Sequence, residues 1–173
     1  MSIDSLWRVP VRIENIPEGG APFALEADAA ARAGVAAAVG LDGLPRLQAK
    51  FDVRRRGRDG LQVVGTISAT VQQSCVVTLE PLTNEIREEV NLIFAPEPAA
   101  LSSDALADAP EPPDPLIDGT VNLGAVAVEA LLLGIDPFPR KPGAAFAAPA
   151  SEEPDASPFA ALTALKKSEP QGS

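Results

Sequence analysis

Histidine is absent from this 173-residue chain, and cysteine occurs once, at Cys75. Without histidine the sequence lacks the commonest general base and the commonest metal ligand, so Ser-His-Asp and Cys-His catalytic sites are excluded. A single cysteine cannot form an internal disulfide or a thiolate cage around a metal. We therefore predict a protein that is not an enzyme and that uses no cofactor, no metal and no small-molecule substrate.

We also expect no leader sequence, and the chain has no long apolar run. Residues 1–7 contain no basic segment that leads into an apolar one, so they do not resemble a secretory signal. No apolar stretch reaches the roughly 20 residues of a membrane-spanning helix. We therefore expect a soluble, cytoplasmic protein that makes no membrane contact.

Alternating apolar and polar residues predict an antiparallel sheet. Odd-numbered residues are apolar over 47–53 and 67–71, and the residues between them are polar, which is typical of half-buried strands. The glycine-containing segment 55–60 joins the two runs and predicts a hairpin whose odd-numbered side chains face inward. Similar alternation predicts strands over 7–14 and 86–94. Because the first of these contains a proline at position 10, it is expected at an edge.

Two helices complete the predicted core. Residues 27–39 are rich in alanine and precede Gly40, which suits an early helix with a glycine at its end. The run 121–133 carries a single charge, Glu129, and predicts a late helix that is buried or paired with a partner, with Asn122 as its N-cap. The carboxylate of Glu129 either lies on an exposed strip of that helix or forms a buried ion pair, for example with Arg140, because an unpaired buried carboxylate is costly.

A rigid segment, residues 136–143, follows the late helix, and we call it the strap. Its three prolines fix φ and remove backbone donors, so the strap is extended rather than helical. It carries Arg140 and Lys141 at its tip. One interpretation is a buried helix that delivers a basic contact segment, and the other is a core helix followed by a surface connector.

Four arginines crowd the predicted hairpin, namely Arg54, Arg55, Arg56 and Arg58. They suit contact with phosphate oxygens, but a solvated turn or a docking place for an acidic part of the same chain explains them equally. The net charge of −10 means that RNA contact requires a local basic patch. We predict that these arginines, together with Arg140 and Lys141, form one contact surface for a partner or for RNA.

Cys75 continues the odd-numbered apolar face of the second hairpin strand, just before a turn expected at Pro81. It is either a reactive thiol or a buried small hydrophobe. We favour the second interpretation because no histidine is present to activate the thiol.

The fold class is therefore predicted as α+β, built on an antiparallel β-sheet with an early helix, a buried late helix and a short C-terminal helix. Residues 1–146 are expected to form one domain. Within it, residues 96–115 hold six prolines and five acidic residues and predict a mobile loop. Residues 147–173 are expected to be a flexible linker followed by a short amphipathic helix, in which Phe159, Leu162 and Leu165 share one face.

Two blocks of the sequence, 75–82 and 117–143, together resemble the YceD family, whose members are called large ribosomal RNA subunit accumulation proteins. The form of the second block is similar to an alphaproteobacterial-type branch. The resemblance covers residues 9–146 and the tail at 159–165. The residues of this chain that match the family motif are Cys75, Leu79, Pro81, Glu129, Pro137 and Pro139.

The resemblance implies a non-enzymatic factor that supports large-subunit ribosomal RNA accumulation and ribosome assembly. The implied partner is pre-ribosomal large-subunit RNA or a basic ribosomal protein, and the alternative is a protein-only adaptor or regulator without RNA contact. Many family members have a Cys-x-x-Cys pair where this chain has Cys75 and Thr78. They often have further cysteines where it has Arg140 and Lys141, so the metal site plausible in those relatives is not available here.

Overall fold

Three long antiparallel strands dominate the computed structural model, which describes residues 5–96 and 113–146. The predictions for 147–173 and for most of the acidic loop, 97–112, lie outside the described residues. In chain order the elements are β1 (Pro10–Arg12), a short 3-10 helix (Ile13–Asn15), β2 (Ala21–Glu26), α1 (Ala29–Val39), β3 (Gly43–Arg56), β4 (Gly60–Ser74), β5 (Pro81–Ala95), β6 (Asp114–Pro115), β7 (Thr120–Asn122) and α2 (Leu123–Gly134).

Five strands form the main sheet in the order β2-β3-β4-β5-β6, and β1 pairs with β7 in a separate two-stranded sheet. All pairs are antiparallel except β5 with β6. The predicted α+β class is confirmed. The predicted register of β3 and β4 is also confirmed, since Leu47 lies opposite Ala69 and Ala49 opposite Ile67, with these side chains buried.

The strands depart from the prediction in length and number. β3 and β4 extend well beyond their apolar centres, to 14 and 15 residues, because strand pairing continues through the polar residues on both sides. β2 was not predicted at all. Its odd-numbered residues are half-buried and its even-numbered residues exposed, but Pro22 and Ala24 weaken the contrast that alternation requires.

The first strand is shorter than predicted, because Ile13–Asn15 winds into a 3-10 helix instead of continuing as a strand. Pro10 does lie in an edge strand, since β1 pairs with β7 and with no other strand in the described part of the chain. Position 10 can therefore hold a residue without an N–H.

Both helices begin at a side-chain cap. α1 begins two residues later than predicted, because Asp28 Oδ1 accepts the Ala31 N–H at 2.7 Å, and it ends at Gly40 with φ +72°. In α2, Asn122 Oδ1 accepts the Gly124 N–H at 3.2 Å and the Val9 N–H at 2.8 Å, so the predicted cap also ties the helix to the N-terminal segment.

α2 is a core helix, as its sequence predicts. It packs on β4 and β5, and Leu123, Val128 and Leu131 are fully buried. Glu129 lies on its exposed side, which is one of the two placements left open by the sequence. Among the residues described here, no helix is both long and apolar enough to cross a membrane.

The predicted acidic loop ends earlier than expected. Asp114–Pro115 was placed in that loop, but it forms β6 and pairs in parallel with Phe94 and Ala95. A hydrogen bond of 2.7 Å from the Leu116 N–H to the Ala95 carbonyl closes the pairing, and Leu116 is buried. Burial of Leu116 holds this end of the segment against the sheet.

Candidate functional site

The two sequence blocks that carry the family resemblance meet in space. The loop joining β4 to β5, residues 75–80, lies against the strap. The Val76 N–H donates to the Pro139 carbonyl at 2.9 Å, and the Lys141 N–H donates to Cys75 Sγ at 3.3 Å. We call the combined face of residues 75–80 and 136–143 the loop–strap surface.

The loop is closed by its own hydrogen bonds. The Cys75 N–H donates to the Glu80 carbonyl at 2.8 Å, and the Leu79 N–H donates to the Cys75 carbonyl at 2.9 Å. Leu79 adopts φ +60°, a left-handed conformation that disfavours a side chain such as leucine. The turn was expected at Pro81, which instead begins β5 opposite Ser74, because the chain reverses within 76–79.

The strap is held at both of its ends. Asp136 Oδ1 accepts the Phe138 N–H at 2.9 Å, and the Asp136 carbonyl accepts a hydrogen bond from Gln73 Nε2 at 2.9 Å. Pro139 is buried. Lys141 Nζ lies 3.1 Å from Glu80 Oε2, and this pair lowers the pKa of the Glu80 carboxyl. The strap is therefore fixed to the end of the β4–β5 hairpin.

Cys75 is fully buried where the loop and the strap meet. Hydrogen bonds from the Thr78 side chain and from the backbone N–H groups of Lys141 and Thr78 lower the pKa of its thiol to about 6, against the burial that raises it. Its sulfur accepts hydrogen bonds that hold the strap, and no solvent reaches it. Across the described residues, no group of three or more side chains could hold a metal ion.

The ionisation of Cys75 predicts a pH-dependent stability. Its folded pKa of about 6 is below the ordinary value of 9.0, so the unfolded chain binds the proton more firmly between these pH values. Stability from this group should be fully present above about pH 9 and be lost as pH falls through 6. Serine does not titrate in this range, so the difference in unfolding free energy between wild type and Cys75→Ser should grow from pH 6 to pH 9. Denaturant titrations in reducing buffer measure it, and a constant difference would contradict the thiolate.

Three large apolar side chains of the loop–strap surface are exposed. Val76, Leu79 and Phe138 are 45%, 79% and 68% exposed. Lys141 is paired with Glu80, which leaves Arg140 as the exposed cation of the strap that makes no ion pair within the described residues. Exposed apolar side chains beside a rigid backbone suit contact with a protein.

The hairpin arginines differ in what they do. Arg54 pairs with Asp52 at 2.9 Å, and Arg55 donates to the Ile16 carbonyl at 2.6 Å, so it ties the hairpin to the N-terminal segment. Arg56 and Arg58 remain exposed near the hairpin tip and make no ion pair in the part of the chain that the structure describes.

The structure places the hairpin arginines at one end of β4 and the strap residues Arg140 and Lys141 near its other end, so contact of both groups with one partner stays a prediction. The hairpin lies at the start of β4 and the strap at its end, and a 15-residue strand spans roughly 45 Å. The structure thus contains two separate candidate surfaces. Alternation in the sequence shows which face of a strand is apolar but not how far the strand extends. The distance between the two candidate surfaces could therefore not be predicted from the sequence.

The loop–strap surface lies within the part of the chain that matches a known family. Searches of curated proteins and of solved structures each returned no match. A family model described as "Large ribosomal RNA subunit accumulation protein YceD" matches residues 63–166, which include both the loop and the strap. The match covers more than half of the chain, and the chain therefore belongs to the YceD family.

Proposed function

We propose that this protein is a non-enzymatic factor that supports large-subunit ribosomal RNA accumulation and ribosome assembly, and that it contacts the assembling subunit through the loop–strap surface. One observation carries the proposal. Two segments 66 residues apart are bonded into one rigid face, at Cys75 and Lys141, and three large apolar side chains, Val76, Leu79 and Phe138, are exposed on it. Both segments lie inside the family match.

The shape and chemistry of this face support binding rather than catalysis. Its thiol, Cys75, is buried, and the chain has no histidine to act as a base. Leu79 is held in a left-handed conformation with its side chain in solvent. Such strain collects at functional sites, where a fixed side-chain direction is useful.

The charge distribution favours a protein partner at this face. Lys141 is paired with Glu80, which leaves Arg140 as the one exposed cation without an ion pair among the described residues of this face, so phosphate contact there would release few counterions. Nine of the 24 acidic residues but only two of the 14 basic residues lie outside the described ranges, so the net charge of −10 mostly reflects other segments. We assign any RNA contact to Arg56 and Arg58, which lie at the opposite end of the sheet.

Replacing Leu79 with asparagine and Phe138 with aspartate should lower large-subunit rRNA to the level of a strain without the protein. Both side chains are largely exposed, so unfolding free energy should change by less than about 0.5 kcal/mol. Asparagine also tolerates φ > 0 better than leucine. The measurement is rRNA abundance in cells where the variant replaces wild type, beside thermal unfolding of the purified variant.

Ile117→Asp is the matched control, because this residue is 71% exposed and lies outside both segments. It should leave rRNA unchanged. A folded double variant that restores normal rRNA would refute the proposed surface. A separate variant, with Arg56→Glu and Arg58→Glu, tests the alternative function of a protein-only adaptor without RNA contact. If that alternative holds, reversing these two charges should leave rRNA abundance normal.

A further inference from the structure

One edge of the main sheet is open along almost all of β5. On one side, β5 pairs with β4 from Ser74 opposite Pro81 to Leu61 opposite Phe94. On its other side, β6 pairs with Phe94 and Ala95 alone. Within the described residues, positions 81–93 therefore form a long strand edge that no other strand covers.

The pairing pattern shows which backbone groups point out of this edge. The Cys75 N–H donates to the Glu80 carbonyl, and donor direction alternates along an antiparallel ladder, so even-numbered residues of β5 bond to β4. The Ala95 carbonyl accepts from Leu116 on the opposite side, which agrees with this phase. The outward groups belong to the odd-numbered residues Thr83, Glu85, Arg87, Glu89, Asn91 and Ile93.

Proline explains why β6 does not continue along this edge. β6 runs parallel to β5, so continuing it backwards would place Pro113 and Pro112 beside Ile93 and Leu92. Proline has no N–H to donate to the ladder. The edge accepts strand pairing at Ala95, yet the sequence of β6 limits that pairing to two residues.

The side chains along the edge select the partner. Glu88 and Glu89 outnumber the single base, Arg87, while Glu85 is already paired with Arg46 at 2.6 Å. Charges on an edge strand disfavour indiscriminate pairing with apolar strands. A strand with basic residues on one face can pair with Glu89, and the apolar residues on its other face can cover the half-buried Leu92, which lies on the opposite side of β5 from Glu89.

We propose that the β5 edge binds a basic, extended polypeptide segment of a protein partner by strand addition. The proposal rests on the proposed function only for the statement that the partner belongs to the assembling subunit. Strand addition itself follows from the geometry of the edge. The edge begins at Pro81, where the loop–strap surface ends, so one partner can contact both.

Amide hydrogen exchange on the full-length protein tests this directly. The probe is a short synthetic peptide of alternating lysine and valine. It should protect the amides of the odd-numbered residues from 83 to 93, while even-numbered amides, already bonded to β4, change little. The same peptide N-methylated at every residue loses all of its donors and should protect none of them.

Two variants test the charge selection. Glu89→Lys should weaken peptide binding at least about fivefold, because it removes one exposed charge pair and places a like charge against the lysines of the peptide. Glu26→Lys, an exposed acid on the opposite edge strand β2, should leave binding unchanged.

Three outcomes would each overturn strand addition. They are equal protection by the N-methylated peptide, binding without protection of the odd-numbered amides, and no binding at millimolar concentrations of the peptide. Protection of the same amides by a single-stranded RNA oligonucleotide instead of the peptide would assign the edge to RNA and also overturn it. None of these outcomes affects the rRNA measurement with the Leu79 and Phe138 variant, so the two proposals fail separately.

Discussion

Phe51→Ala should lower the free energy of unfolding by about 3–5 kcal/mol, because a large side chain is removed from a close-packed core. Phe51 is 3% exposed and lies opposite Gly65 in β4 and Phe23 in β2, so the cavity would open in the middle of the sheet. Its neighbours belong to long paired strands and cannot collapse far into the space. Urea unfolding of wild type and variant, monitored by circular dichroism, measures the loss.

Phe138→Ala is the matched control for this prediction. It removes the same group from a side chain that is 68% exposed, so its cost should remain within about 0.5 kcal/mol. A near-neutral result for Phe51→Ala would mean that the odd-numbered face of β3 does not point into the core.

Gly65→Ala should destabilise the protein by about 3 kcal/mol or more, because no space exists for one additional carbon. A Cβ at position 65 would collide with the Lys50 carbonyl and approach the Cα of Phe51 to 2.8 Å. Both are backbone atoms of β3, so relief requires the ladder itself to separate. Thermal unfolding should show a strongly reduced midpoint.

Gly34→Ala provides the opposite result with the same chemical change. Nothing lies within 4 Å of a Cβ built at this position in α1, and alanine is the better helix former. This variant should therefore be more stable than wild type by about 0.5–1 kcal/mol. If both glycine variants changed stability equally, close approach of β3 and β4 would not be the cause.

The sequence predicted the parts of this fold whose signal is local. Phe51 and Ile67 fall on the core side because alternation is a property of neighbouring residues, and Asn122 caps α2 because capping involves the next few residues. β2 escaped prediction because its apolar contrast is weak and a proline interrupts it.

The candidate site was predicted only in pieces. Cys75 and the strap were each recognised, but their contact joins residues 66 apart, and no periodicity reports such a distance. The hairpin arginines were grouped with Arg140 by charge alone. Charge gives no position in space, and 15 residues of β4 keep the two basic segments apart.

The hydrogen bond from the Lys141 N–H to Cys75 Sγ has a consequence for the order of folding. A contact between residues 66 apart requires closure of a long loop, and an N-terminal part of a chain is made first during synthesis. The β4–β5 hairpin can form before residue 136 exists, whereas the strap can dock only after α2 has packed on that hairpin. The loop–strap surface is therefore the last part of the described fold to assemble, and a partner that bound it would recognise only chains in which the described fold has already formed.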